Sequence, residues 1–479
     1  MKLLVVDVGT SGMRAAVVEP GRGVTISHRQ ELLPDTPFPG LVEFDARVMA
    51  DVALDLARRA VTEADGVDGV GLANQRASTI VWDRASGEPV APGIGWQDLR
   101  TVGDCMVLGG QGIRLAPNLS ATKVAHILDA VDPERGRDLV VGTVDTWLAW
   151  VLTEGASHVT DVTNVGVTGL RTPDQTSWDA KVLEALRIPE TSLPDVVDSM
   201  AVVGSATALP GAPTIAGILG DQQAALLGQG CVDPGQTKIT FGTGGMLDMC
   251  LSERQSHPTQ GPHGTFPIVT SSRDGVRRWG LEAVMLAAGT NIEWLRDDLG
   301  IISDAAESHE VASLCEDSGG IAYVPALLGL GTPTWDYGAR GALLGITRGG
   351  GRPQIVRAVL EGIAQRAADL VEAAEADSGV EIPTLRIDGG MSDNPTFVQA
   401  LANATGRPVE ISPEREATTL GAAYAAGLAL GAWADEAEVA SSWKARAVVE
   451  PNGTLDRERW ADALRRAERW FPDLSAISF

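Results

Sequence analysis

The alternation of apolar and polar positions is clearest at the start of the chain. In KLLVVDVGTSGMRAAVVEP (2–20) the pattern alternates around Val5 and Asp7, stops at Gly9-Thr-Ser-Gly12 and resumes from Ala15 to Val18. It predicts two strands joined by a tight turn, a β-hairpin with a polar tip. A second apolar strand running into a small-residue turn occurs at Lys238-Ile-Thr-Phe-Gly-Thr-Gly-Gly245. One device used twice predicts two related halves. The helix-like run Asp221 to Leu227 gives way to Gly228, Gly230, Pro234 and Gly235, which sets the boundary within 226–236 and divides the chain into 1–230 and 231–479.

In the second half, Val356, Val359, Leu360, Ile363, Ala367, Leu370 and Val371 share one face of a helix predicted over 355–374. Leu385-Arg-Ile-Asp388 then reads as a strand. Strands and amphipathic helices alternate in both halves, so each is expected to be a set of α/β layers. The most apolar later stretch, Ala417 to Trp433, is rich in small residues, carries Thr418 and Thr419, and is short for a membrane span. It is read as a buried helix. The opening MKLLVVDVGT has one Lys, Asp7 interrupts its apolar run, and no cleavage site follows, so it is read as a first strand rather than a signal peptide.

Composition narrows the function classes. A chain of 479 residues exceeds what one core usually supports, so two large domains with a ligand cleft between them are expected. A formal charge of −25 argues against nucleic acid or a membrane surface as partner. It does not exclude a nucleotide, because metal ions and aimed backbone N–H groups concentrate positive potential locally. The four cysteines, Cys105, Cys231, Cys250 and Cys315, are far apart and form no C-x-x-C pair, which fits reduced thiols in the cytoplasm.

Glycine-rich turns at 9–12, 242–245 and 389–390 each follow a strand and would let backbone N–H groups approach phosphate oxygens. Any one alone reads as a tight turn; their joint occurrence points to phosphate. There is no Gly-Lys dipeptide, hence no Walker A loop, and no G-x-G-x-x-G opens a helix after the first strand. His257 and His263 sit in a Pro/Gly-rich loop without further ligands and read as solvated, so zinc has no support. Asp7 precedes the first turn and Asp221 follows the apolar stretch 215–220. Asp221 before Gln-Gln-Ala-Ala-Leu-Leu is also a good helix cap, and capping does not exclude catalysis. Phosphoryl transfer to an alcohol needs a carboxylate near the attacking hydroxyl and oxygen ligands for Mg²⁺, which two Asp residues from two walls of a cleft could supply.

The motifs DVGTSGMR (7–14), NQRASTIVWD (74–83), GWQDLRT (95–101), SATK (120–123), GTVDTWL (142–148) and HVTDVTN (158–164) cover the first half. GILGDQQAALLGQ (217–229), FGTGG (241–245), WDYGARGALLGITRG (335–349) and DGGMSDN (388–394) cover the second. By these motifs the chain resembles the FGGY carbohydrate kinases nearly end to end, and among them most nearly the glycerol kinase branch. The resemblance implies two ribonuclease-H-like domains of the actin and hexokinase type, closing on ATP and a polyol or sugar. It implies that Asp7 is the Mg²⁺-associated aspartate, with Asp221 beside the metal as the base that activates the substrate hydroxyl. Thr10, Ser11 and Arg14 would lie on the first phosphate turn and Gly242, Thr243 and Gly244 on the second. Gly389, Gly390 and Asn394 would line the adenosine pocket, and Gln222 would help hold the substrate. A homodimer is likewise implied.

The acceptor pocket departs from that branch. Arg76 is followed by Ala77 where the branch has Glu, Asn118 stands for a Tyr, His126 for a Trp and Leu286 for a Phe; at the adenosine pocket, separately, Asp393 stands for a common Asn. Arg76 and Trp96 remain as expected pocket residues. Losing one acceptor for a buried hydroxyl costs about 1–3 kcal/mol, which points to a different acceptor, a longer polyol or a ketose such as xylulose or ribulose. The segment Val202 to Pro213 is too short and lacks the arginine of the effector loop of bacterial members, so sugar-bisphosphate regulation is not expected. A non-catalytic actin-like ATP-binding protein and a phosphate-ester hydrolase are the competing readings.

Overall fold

The structure is a computed structural model that describes residues 1–255 and 259–477. The reading of His257 therefore lies outside the described residues.

The first hairpin forms as its pattern predicts. Leu3–Val8 pairs antiparallel with Gly12–Glu19, and the turn is closed by Gly9 N donating to Gly12 O at 2.9 Å. Leu4, Val6 and Val8 pack with Met13, Ala15 and Val17 under the helix Ala46–Glu63, while Leu3 and Val5 face the helix Ala417–Leu430. Burial on both faces accounts for the apolar run through this strand. The sheet has six strands, and Gly69–Asn74 runs parallel beside Leu3–Val8.

The second sheet repeats that plan. Leu385–Asp388 runs parallel to Thr237–Phe241, which pairs antiparallel with Gly245–Leu251, itself antiparallel to Val276–Met285. The first sheet has the same order and sense in Gly69–Asn74, Leu3–Val8, Gly12–Glu19 and Gly23–Glu31. An added edge strand, Phe266–Arg273, distinguishes the second. Ile239, Phe241, Leu247, Met249, Leu281 and Ala283 pack against the helix Arg352–Ser378, whose seven expected core positions are all fully buried. The fold is the two-domain α/β architecture of the actin and hexokinase type.

One element crosses between the halves. The helix Ala417–Leu430 packs on the first sheet and on the helix Asp221–Gly228. It approaches so closely because both partners lack side chains at the crossing: a Cβ on Gly421 would overlap the backbone of Ala224, and one on Gly228 the carbonyl of Ala417. The small-residue composition that sets this stretch apart from a membrane span therefore serves a tight interhelical contact. The expected cost of Gly421→Ala is about 1–3 kcal/mol of overpacking, read as a lower thermal unfolding midpoint. Gly103→Ala, where an added Cβ meets open space on a helix, should leave the midpoint unchanged or raise it.

Candidate active site

Asp7 lies near the end of its strand with Arg14 as its cross-strand neighbour. Burial raises its pKa to about 7; Arg14 opposes the shift, and Asp221 and Glu416 add to it. Arg14 forms an ion pair with Glu416, which precedes the helix Ala417–Leu430, so the first turn is tied to the crossing element. Thr10 Oγ1 accepts from Trp96 Nε1 at 3.1 Å, and Ser11 is exposed at the tip of the turn. Trp96 and the first turn thus share one wall.

Asp221 is the first residue of the helix Asp221–Gly228; Gly220 occupies the cap position. The sequence suggested a cap, but among the described residues the Asp221 carboxylate accepts only from the adjacent Gln222 N–H, at 2.8 Å. A carboxylate in the first turn is favoured by the helix dipole and remains free to act outward. Burial raises its pKa, opposed chiefly by Arg76. Its position is fixed by a buried polar network in the HVTDVTN segment. Gly220 N donates to Thr163 Oγ1 at 2.8 Å, and Thr163 Oγ1 donates to Asp161 at 2.8 Å. Asn164 accepts from Asn74 Nδ2 at 2.8 Å, which holds the end of the strand leading to Arg76. The Arg76 guanidinium then reaches both Asp221, at 3.7 Å, and Glu282, at 2.5 Å. Its Nη1 is buried with no hydrogen-bond partner among the described residues.

The opposite wall is a row of charges on the second sheet. Register places Glu282, Asp248, Lys238, Arg386 and Glu410 side by side on successive strands. They occupy the face toward the helix Asp221–Gly228, opposite the apolar face under Arg352–Ser378. Lys238 and Asp248 are fully buried and pair at 2.6 Å. Lys238 Nζ also donates to Gln222 Oε1 at 2.6 Å and to Thr240 Oγ1 at 3.0 Å. Glu282, Lys238 and Asp248 were not expected from the sequence. Asp248 is the one charge in an apolar strand, whereas Lys238 shares its strand with Thr237 and Thr240 and Glu282 shares its own with Arg277 and Arg278, so the available signal was weak.

The glycine turns of the second half lie together. Gly389 adopts φ 85° and packs against the Phe241 backbone, so it cannot carry a side chain. Gly242 and Gly390 border open space, whereas Gly244 packs on the Met285 carbonyl. Asn394 is the cap of the helix Pro395–Thr405: it accepts from Phe397 N at 3.1 Å and donates to Ser308 at 2.8 Å. Its side chain is thus held in one orientation by the fold. Asp393 is held by Arg415 and Arg446.

Among the expected acceptor residues, Ala77 is buried at φ 63°, with its carbonyl accepting from Ser120 Oγ at 2.9 Å. Asn118 and His126 are exposed, and Leu286 lies on the bend beside Gly244. Lys123, its pKa pushed down to about 7 by burial, links Asn118 to Trp96 by donating to both carbonyls, at 3.2 and 3.1 Å.

Two carboxylates, Asp7 and Asp221, with pKa values raised by burial and, for Asp7, by the charge of the other, are an arrangement that a divalent cation would relieve. Among the described residues no group of three or more His, Cys, Asp or Glu side chains could hold a metal by itself.

Residues 2–228 match the N-terminal domain and residues 237–430 the C-terminal domain of the FGGY family of carbohydrate kinases. The chain is 40% identical to a glycerol kinase of Trichlorobacter lovleyi, over 98% of this chain and 99% of that protein. It is equally 40% identical to glycerol kinase 2 of Thermotoga maritima, with 98% and 99% covered. The crystal structure of Plasmodium falciparum glycerol kinase with ADP superposes with a TM-score of 0.89 at 28% identity, covering 100% of this chain and 99% of that one.

Asp7 ionises near 7 in the folded chain against 3.8 as a free side chain, so the ionised form costs stability increasingly as pH rises between these values. Ligand-free Asp7→Asn should therefore melt above the wild type at about pH 8, with the gap closing toward about pH 4, as read by differential scanning fluorimetry.

Proposed function

The chain belongs to the FGGY family of carbohydrate kinases, and on that premise we propose which of its residues carry out the reaction. The reaction is ATP-dependent phosphorylation of a hydroxyl of a polyol or sugar. The single observation that supports the residue assignment is the convergence of Arg76, Asp221 and Gln222 from one half with the charged row of the other.

In this reading Asp221 accepts the proton of the acceptor hydroxyl as that oxygen attacks the γ-phosphorus. The new O–P bond forms as the bond to the β,γ-bridging oxygen breaks, and ADP leaves. Arg76 and Gln222 orient the acceptor, with Trp96, Ala77, Asn118 and Leu286 bordering it. The backbone of Thr10, Ser11, Gly242, Thr243 and Gly244 donates to the phosphates, Arg14 adds positive charge at the first turn, and Gly389, Gly390 and Asn394 border the adenosine. Asp7 and Asp221 would hold Mg²⁺, which neutralises phosphate charge when bound.

The acceptor is proposed to be a small polyol, with glycerol first to be tested given the relatives named above. The absence of a carboxylate at Ala77 favours, as second reading, a longer polyol or a ketose such as xylulose or ribulose. The four free thiols are consistent with a cytoplasmic setting, and no helix among the described residues is long and apolar enough to cross a membrane. A dimeric state rests on the family resemblance alone.

ADP release measured across glycerol, tetritols, pentitols, xylulose and ribulose should show turnover with at least one. Asp221→Asn should lower kcat on that acceptor by about 10²–10⁴ while leaving the KM for ATP within about threefold. ATP binding without turnover across the whole panel would support the non-catalytic alternative, and undiminished turnover in Asp221→Asn would remove Asp221 from its role.

A further inference from the structure

Lys238 is fully buried in the middle of the second sheet, yet its ammonium group touches the site. An ammonium has three N–H donors and no acceptor; Lys238 Nζ donates to Gln222 Oε1 and Thr240 Oγ1 and forms an ion pair with Asp248 Oδ2 at 2.6 Å. The partner on Gln222 has to be the carbonyl oxygen, because an amide N–H₂ facing an ammonium would set donor against donor. Gln222 Nε2 has no hydrogen-bond partner among the described residues and is not among the buried unsatisfied atoms, so it reaches accessible space. Lys238 and Asp248, which hold the other side of that amide, also act electrostatically on the Asp221 carboxylate.

We propose that Lys238 is a positioning residue for phosphoryl transfer: it locks the Gln222 amide with its Nε2 hydrogens toward the cleft, where they donate to a hydroxyl oxygen of the acceptor. The inference rests on the kinase reading and deepens it. Asp221 offers only acceptor oxygens, and the locked amide offers only donors. An acceptor is then selected for carrying one hydroxyl that gives its proton to Asp221 and a neighbouring oxygen that receives from Gln222. Without Lys238 the amide is free to flip, and its carbonyl would turn toward the cleft in part of the population.

A purely structural role for Lys238, neutralising buried Asp248, predicts something different. Lys238→Met alone leaves that carboxylate unpaired and would destabilise the fold, so the informative protein is Lys238→Met with Asp248→Asn, which removes both charges. Steady-state kinetics with the acceptor that the wild type turns over best should show the acceptor KM raised about tenfold or more and the KM for ATP within about threefold. The unfolding midpoint of the double variant should lie close to that of the wild type. An acceptor KM equal to wild type in this variant would overturn the proposal. Gln222→Glu provides a second reading of the same lock: one oxygen can keep Lys238, but the cleft now meets an acceptor, and the acceptor KM should again rise about tenfold. An unchanged KM in Gln222→Glu also overturns the proposal. A wild type that consumes no ATP with any acceptor contradicts the kinase reading and this inference together, whereas wild-type turnover with unmoved variants contradicts the inference alone.

Discussion

The arrangement depends on the Arg76 guanidinium being held between two carboxylates that come from different halves of the chain. Asp221 belongs to the helix that follows the first sheet, Glu282 to a strand of the second, and both carboxyls are raised in pKa by burial. Taking such charges out of water costs several kcal/mol per ion unless nearby opposite charge and hydrogen bonds offset it. That constraint explains why the second sheet carries Lys238 and Asp248 on the face where an ordinary sheet would be apolar. It also explains the network of Asn74, Asp161, Thr163 and Asn164, which leaves the approach of Arg76 and Asp221 little freedom. A site in which charge is set before the ligand arrives has less reorganisation to do when charge develops on the transferred phosphoryl group.

The two halves are joined mechanically as well as electrostatically. The helix Ala417–Leu430 lies against the first sheet and against the helix bearing Asp221, and Glu416 at its start reaches Arg14 on the first turn. This helix therefore ties the first glycine turn and the start of the Asp221 helix to one element contributed by the second half, and small residues at the crossing make that contact close.

Much of this was legible in the sequence, for identifiable reasons. The paired hairpins, the helix Arg352–Ser378 and the strand Leu385–Asp388 follow from periodicity because each is a locally determined element. Asp221 was visible as the polar end of an apolar strand followed by good helix formers. What escaped was whatever depends on register. Lys238, Asp248 and Glu282 are separate polar positions in three strands, and only their pairing makes them one row. The crossing of Ala417–Leu430 to the other half escaped because burial is readable from composition but its partner is not. For Asn394 a local signal existed, Asn followed by Pro at a helix start, and it marks the cap that the structure shows.

The proposed role of Asp221 is tested most directly by the pH dependence of kcat at saturating Mg–ATP and acceptor, where bound metal and nucleotide keep Asp7 ionised. Turnover should fall on the acid side through one ionisation, that of the Asp221 carboxylate, which burial raises and bound Mg²⁺ lowers. The residual turnover of Asp221→Asn should lack that limb. The same acid limb persisting in Asp221→Asn would contradict the account.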